Sequence, residues 1–179
     1  MPDVLTHLLI GISIAILIRP KGTRAEQMLI IFGALLPDVE RPVTWVLNAA
    51  GLDWIGLTSA THSIVGVIVL SYVVAACFVL DGVTFRGKFA LVFAGCVSHL
   101  LLDLVMYPWI EYGLYLFYPI KLAFSFHLVW PDYWFYPFVG VICVLFALLV
   151  YYLGVLAKAL ICKLNFQKNY QLKKNCIVF

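Results

Sequence analysis

The chain has 179 residues, of which 64% are hydrophobic and 12% charged, with a mean hydropathy of +1.03 and a formal net charge of +3. A soluble domain of this length carries much more charge, so the composition excludes that class and predicts an integral membrane protein with an all-α fold. The basic residues lie at helix ends rather than beside clustered aromatic residues, which argues against a nucleic-acid partner.

The apolar segments predict a polytopic bundle of about five transmembrane helices. A helix needs roughly 20 apolar residues to cross the hydrocarbon layer. Residues 62–80, 88–106 and 136–157 have that length, whereas 4–18 and 27–36 are short or broken helices, the second ending at Pro37. We expect residues 1–157 to form a single membrane-embedded helical domain, residues 41–60 and the aromatic stretch 107–136 to be interfacial connections, and residues 158–179 to be a basic cytoplasmic tail.

The basic residues also predict the orientation. If there are five spans, every Lys and Arg except Arg41 and Lys121 falls on one side of the membrane. Short loops rich in Lys and Arg stay in the cytoplasm, so the N-terminus is expected outside and the C-terminus inside, in the inner or plasma membrane. The five cysteines show no CxxC spacing, so neither a disulfide framework nor a thiolate metal site is expected.

Histidines and acids occur at matching depths on different predicted helices. Counted at about 1.5 Å per helical residue from the nearest cytoplasmic charge, His7, Asp38 and His99 each lie roughly 17–18 Å from that boundary. Asp103 follows His99 by four residues and shares its helix face, and His62 opens the third span. These five side chains are expected to converge in the outer half of the membrane.

Ionisable groups inside a membrane are costly and generally face a bundle interior, where they pair or form a site. Imidazole and carboxylate groups suit a divalent ion, zinc above all, with manganese or iron as other candidates. Each residue alone also fits a structural role, such as a packed His99/Asp103 pair, a turn at Asp38 or an ion pair between Glu40 and Arg41. The coincidence of depth favours a metal site. Ser or Thr adjoins each of the three histidines and is a candidate for orienting its ring.

Several short motifs follow one another along the chain, in this order: Thr6-His7-Leu8 with Gly11, Gly33-Ala34-Leu35-Leu36-Pro37-Asp38 with Glu40, Thr61-His62-Ser63, Ser98-His99-Leu100-Leu101-Leu102-Asp103, and Gly113 with Tyr118-Pro119. This set of motifs resembles the YdjM-like family of membrane-bound, metal-dependent hydrolases, some members of which are labelled LexA-binding. The resemblance implies metal ligands at His7, Asp38, His62, His99 and Asp103, with Glu40 at the second acidic position. The family commonly has a His-Arg pair before Thr-His-Ser, where this chain has Leu57-Thr58-Ser59-Ala60, so a substrate-anchoring cation is not expected there.

The function that we expect is hydrolysis of an ester or phosphoester bond in a lipid or lipid-linked substrate near the extracytoplasmic face. Glu40 is the candidate general base, and Asp103 can exchange roles with it. Two other classes stay open. One is a protein that binds or transports divalent ions without catalysis, although the chain lacks the internal repeat common in carriers. The other is a structural or partner-binding membrane protein whose polar groups hold helices together. The sequence does not indicate the oligomeric state.

Overall fold

The described part of the chain is helical. The computed structural model describes residues 4–18, 22–52, 55–105, 114–126 and 135–176, with side chains in the last helix described as far as Cys162. These ranges contain a 3₁₀ helix, Leu36–Glu40, and the α-helices α1 Val4–Ile18, α2 Arg24–Leu35, α3 Arg41–Ala49, α4 Ile55–Thr61, α5 Ile64–Cys77, α6 Phe85–Val105 and α7 Phe135–Cys176. Within them the β pairing is confined to an isolated bridge between Leu114 and Phe124. The all-α prediction is confirmed.

The segment from α2 to α3 stays helical across two prolines. A capping box starts α2, in which the Thr23 backbone N–H donates to Glu26 and the Glu26 backbone N–H donates to the Thr23 hydroxyl. Pro37 and Pro42 each stand in the first turn of the helix that follows, where a missing N–H costs no hydrogen bond. The connection expected over 41–60 contains two short helices, since Pro42 begins α3 there and α4 follows, and its place at the membrane interface stays a prediction.

A sharp bend between α4 and α5 sets the position of His62. The two helices meet at 69°, and His62 and Ser63 lie between them. The Ser63 hydroxyl accepts a hydrogen bond from the Gly66 backbone N–H at 3.0 Å and so caps the start of α5. The bend turns His62 inward, and its side chain is buried.

The bundle is built on close packing of α2 against α6, with α1 between α2 and α7 and with α5 against the other side of α6. Gly33 and Gly95 lie at the α2–α6 contact. A Cβ atom at Gly33 would be 2.2 Å from the Val92 carbonyl oxygen, and one at Gly95 would be 2.1 Å from that of Ile30. Because small residues let membrane helices approach backbone to backbone, this contact fixes α6 tightly on α2.

The lengths of the helices allow two or three membrane spans in the described residues. Phe85–Val105 and the Phe135–Cys162 part of α7 are long and apolar enough to cross a membrane, and α4 with α5 can form a third, broken span. The helix α1 is apolar but shorter. The count of five spans and the orientation of the termini therefore stay predictions. The helix α7 also continues through the expected start of the tail at residue 158, as far as Cys176.

Candidate metal centre

Four elements bring six titratable side chains into one buried polar cluster. The helix α1 supplies His7, the 3₁₀ helix Asp38 and Glu40, the α4–α5 bend His62, and α6 both His99 and Asp103. Each of the six residues is at most 6% exposed. The convergence expected from matching depth is thus present in the structure, and Glu40 belongs to the same cluster.

The Nε2 atoms of His62 and His99 face each other at the centre of this cluster. They lie 3.2 Å apart. The Oδ2 atom of Asp103 is 3.3 Å from Nε2 of His99 and 3.7 Å from that of His62. The Oδ1 atom of Asp38 is 3.4 Å from Nε2 of His62 and 3.9 Å from that of His99. Two imidazoles and two carboxylates therefore direct donor atoms at one small volume.

Backbone carbonyls fix which nitrogen of each ring carries hydrogen. The Nδ1 atom of His99 lies 2.7 Å from the Ala34 carbonyl oxygen, and that of His62 lies 3.0 Å from the Thr58 carbonyl oxygen. A carbonyl only accepts, so both Nδ1 atoms are donors. In the neutral rings the Nε2 atoms then carry lone pairs. Two lone pairs that face each other at 3.2 Å need a positive charge, as a metal ion or an added proton.

His7 and Asp103 form the inner side of the cluster. The ring of His7 stacks on that of His99, with centroids 3.7 Å apart and an interplanar angle of 12°. Its Nε2 atom lies 3.4 Å from Oδ1 of Asp103. Both ring nitrogens of His7 and both carboxylate oxygens of Asp103 are buried without a hydrogen-bond partner among the described residues. Unsatisfied buried polar atoms are costly, and a bound cation would satisfy them.

Asp38 and Glu40 lie on the side of the cluster that is nearest to solvent. The Oδ2 atom of Asp38 is 2.8 Å from Nη2 of Arg41, whose side chain is 28% exposed. The Oε1 atom of Glu40 is 3.9 Å from Nδ1 of His62, so Glu40 flanks that ring on the side away from His99. Of the charged side chains here, Arg41 is the one that connects the cluster to the surface.

The donor set and its spacing fit a divalent ion. Three groups of residues each offer ligand atoms within 4.8 Å of one another: His7, Asp38 and His99; His62, His99 and Asp103; and Asp38, Glu40 and His62. A Zn–N bond of about 2.0–2.1 Å in tetrahedral geometry places two ligand atoms roughly 3.3–3.4 Å apart. The separations of 3.2 Å between the two histidines and 3.3 Å from His99 to Asp103 match that spacing.

A family model described as YdjM inner membrane protein matches residues 1–163. The chain belongs to the YdjM inner membrane protein family. The match and the apolar helices show an integral inner membrane protein, and they confirm the family that the sequence motifs resemble. No curated protein and no solved structure matches the chain significantly.

The groups that orient the rings in this YdjM family member are mostly backbone atoms. The sequence predicted that neighbouring Ser and Thr residues orient the histidine rings. Thr61 contacts its ring in this way, with its Oγ1 atom 3.0 Å from Nδ1 of His62. The Ser98 hydroxyl instead donates to the Gly95 carbonyl, and Ser63 caps α5. Sequence reasoning missed the carbonyls of Ala34 and Thr58, because a carbonyl is present at every residue and only the packing selects one.

Arg41 was also missed as part of this site. The sequence suggested an ion pair between Arg41 and Glu40, and the structure pairs Arg41 with Asp38 at a spacing of three residues. A helical path through Pro37 and Pro42 would have given that spacing. The sequence also predicts that four acids are solvated and that one further histidine has a structural hydrogen bond, and all five lie outside the described residues: Asp3, Asp53, Glu111, Asp132 and His127.

Proposed function

We propose that this protein is a membrane-embedded, metal-dependent hydrolase that cleaves an ester or phosphoester bond in a lipid or lipid-linked substrate near the extracytoplasmic face. One observation carries the proposal, which is the 3.2 Å approach of the Nε2 atoms of His62 and His99 beside two buried carboxylates. Polar groups that only hold helices together would pair with one another through hydrogen bonds. Here nitrogen lone pairs and carboxylate oxygens point at the same small volume, which suits a bound cation.

The ligand roles follow from the directions of the atoms. His62, His99, Asp38 and Asp103 would hold the ion through Nε2 and carboxylate oxygens, with His7 as a further donor. Zinc suits this mixed set of nitrogen and oxygen ligands best, and manganese or iron are alternatives. When bound, the ion supplies Lewis acidity that polarises the scissile group and makes water easier to deprotonate.

The proton-transfer role is assigned to Glu40. Both oxygens of Asp103 face imidazole nitrogens, as expected of a metal ligand. We therefore assign Asp103 as a ligand and Glu40, rather than Asp103, as the general base. The Oε2 atom of Glu40 is buried and has no hydrogen-bond partner among the described residues. A carboxylate with a free oxygen at the edge of the ligand set can take a proton from attacking water and pass it to the leaving group.

Arg41 supplies a substrate-anchoring cation in place of the family's His-Arg pair. Its guanidinium contacts Asp38 at 2.8 Å while part of the side chain stays exposed. A guanidinium presents several N–H donors in one plane and binds carboxylate or phosphate oxygens with two parallel hydrogen bonds. We assign Arg41 to binding an oxygen of the substrate's head group as it approaches the ion.

The proposed topology keeps five spans, with the N-terminus outside and the C-terminus in the cytoplasm. In this arrangement α3 lies in the outer interface, where Trp45 is 73% exposed while the neighbouring Thr44 is buried. Residues 114–126 lie beside the site, since Ile64 donates to Leu116 and Phe126 donates to Leu104 through backbone hydrogen bonds of 2.9 Å. We assign this segment to a platform or lid over the substrate.

The test compares His99→Ala with Ser98→Ala, a neighbour on the same helix turn. Each protein is purified in detergent, analysed for bound metal, and assayed on vesicles that contain phospholipids or lipid-linked phosphates. Wild type and Ser98→Ala should bind metal and release product, and His99→Ala should do neither. Turnover by His99→Ala would refute the proposal. If the wild type moved metal into proteoliposomes without hydrolysing lipid, the protein would instead be a transporter. If the wild type bound no metal, its polar cluster would have a structural role.

A further inference from the structure

We propose that the centre holds two divalent ions bridged by Asp103, and that its substrate is a phosphoester rather than a carboxylic ester. The inference rests on the proposed metal site and concerns the number of ions that the side chains can bind. Two of the three ligand groups share His99 but differ in their other residues. One contains His62, His99 and Asp103, and the other contains His7, Asp38 and His99.

The stacking of His7 on His99 places their ring planes side by side, which favours a separate ion for each ring. An imidazole nitrogen directs its lone pair in the plane of its own ring. The two rings are tilted by only 12°, with centroids 3.7 Å apart. An ion in the plane of His99 is therefore displaced from the plane of His7 by roughly a ring-stacking distance. Two-metal sites hold their ions about 3.5–4 Å apart, which is close to the spacing of these two rings.

Asp103 is placed to bridge the two positions. Its Oδ2 atom faces Nε2 of His99 at 3.3 Å, while its Oδ1 atom faces Nε2 of His7 at 3.4 Å. Neither oxygen has a hydrogen-bond partner among the described residues, and the residue is 2% exposed. A buried carboxylate whose two oxygens face different imidazoles can give one oxygen to each ion. Asp38 can add a further ligand to either ion, since it belongs to one ligand group with His7 and to another with His62.

The charge of the site means that a second ion requires an anionic partner, and this requirement indicates the substrate class. Asp38, Glu40 and Asp103 are buried acids, and Arg41 is the cation paired with one of them. With the acids ionised and the histidines neutral, one divalent ion and Arg41 only neutralise these carboxylates. A second ion leaves two positive charges in a buried site, which attracts an anionic group such as a phosphoester oxygen.

The experiment uses Mn²⁺ alone as the probe, because its electron paramagnetic resonance spectrum distinguishes isolated from coupled ions. Purified wild type is dialysed against Mn²⁺ and its bound metal is counted. The expected result is two ions per chain with an exchange-coupled spectrum. His7→Ala should bind one ion with the spectrum of isolated Mn²⁺, and Ser13→Ala, a control on the same helix whose hydroxyl donates to Leu9, should match wild type.

Each other outcome is informative. One isolated ion per wild-type chain would overturn the two-ion proposal and leave the metal site intact, with His7 acting as a hydrogen-bond donor to Asp103. No bound ion would overturn the proposed function as well. A coupled pair retained in His7→Ala would refute the role of His7. The wild-type measurement decides the number of ions even if His7→Ala does not fold.

Discussion

His62 and His99 approach each other nitrogen to nitrogen, with 3.2 Å between their Nε2 atoms. Each ring is held from behind by a backbone carbonyl, Thr58 for His62 and Ala34 for His99. Histidine ligands in metalloproteins are commonly held in this way, with one nitrogen hydrogen-bonded and the other directed at the ion. The same arrangement without an ion leaves two lone pairs facing each other, so it is the feature of the fold that most favours a bound cation.

Glu40→Gln should abolish most turnover without removing metal. The amide keeps the shape of the side chain but cannot accept the proton that the proposal assigns to Glu40. Loss of a general base lowers rates by roughly 10²–10⁴-fold. The measurement is kcat on a lipid phosphoester alongside metal content. Equal losses of metal and activity would instead make Glu40 a ligand, which its position near Asp38 and His62 allows.

Arg41→Ala should weaken substrate binding and leave the metal in place. A hydrogen bond to a charged group contributes about 1.5–3 kcal/mol, which corresponds to a roughly 10–100-fold loss in kcat/KM. Arg41→Lys should recover only part of this loss, because an ammonium lacks the planar pair of donors. Steady-state kinetics on anionic and neutral substrates gives the check. An unchanged kcat/KM for the anionic substrate would remove Arg41 from the site.

Gly95→Ala should destabilise the bundle and impair metal binding together. The added methyl would lie 2.1 Å from the Ile30 carbonyl oxygen and would push α6 away from α2, which also separates His99 from Ala34. Overpacking of this kind costs about 1–3 kcal/mol. Gly154→Ala in α7 is the matched control, since a Cβ there meets no atom within 4 Å. Gly95→Ala should lower both the unfolding temperature and the metal content, and the control should lower neither.

Much of this arrangement was predictable from the sequence, and the remainder depends on packing. The apolar segment 4–18 became α1, and the matching depths of His7, Asp38 and His99 predicted that they would meet. The count of residues along a helix predicts how deep a residue lies in the membrane, but it does not predict the direction in which its side chain points. The stacking of His7 on His99 was therefore not predictable. The sequence predicts that the second helix ends at Pro37, but it does not show that Pro37 and Pro42 each begin a further helix, because a proline can either end a helix or stand in its first turn.

Removal of metal should destabilise wild type more than a variant that cannot bind it. A ligand at a hundredfold excess over its Kd stabilises the folded state by about 2.7 kcal/mol. A chelator should therefore lower the Tm of wild type, and readdition of zinc should restore it. His99→Ala should unfold at the same temperature with or without the chelator. Equal sensitivity of both proteins would show that the chelator acts elsewhere.

The most direct test is anomalous scattering from crystals of the gently purified protein, measured across the absorption edge of the metal found by elemental analysis. We expect a peak within about 2.0–2.3 Å of Nε2 of both His62 and His99, with carboxylate oxygens of Asp103 and Asp38 completing the ligands. A structure in which those two nitrogens share only a proton or a water molecule, with no anomalous peak between the four side chains, would contradict it.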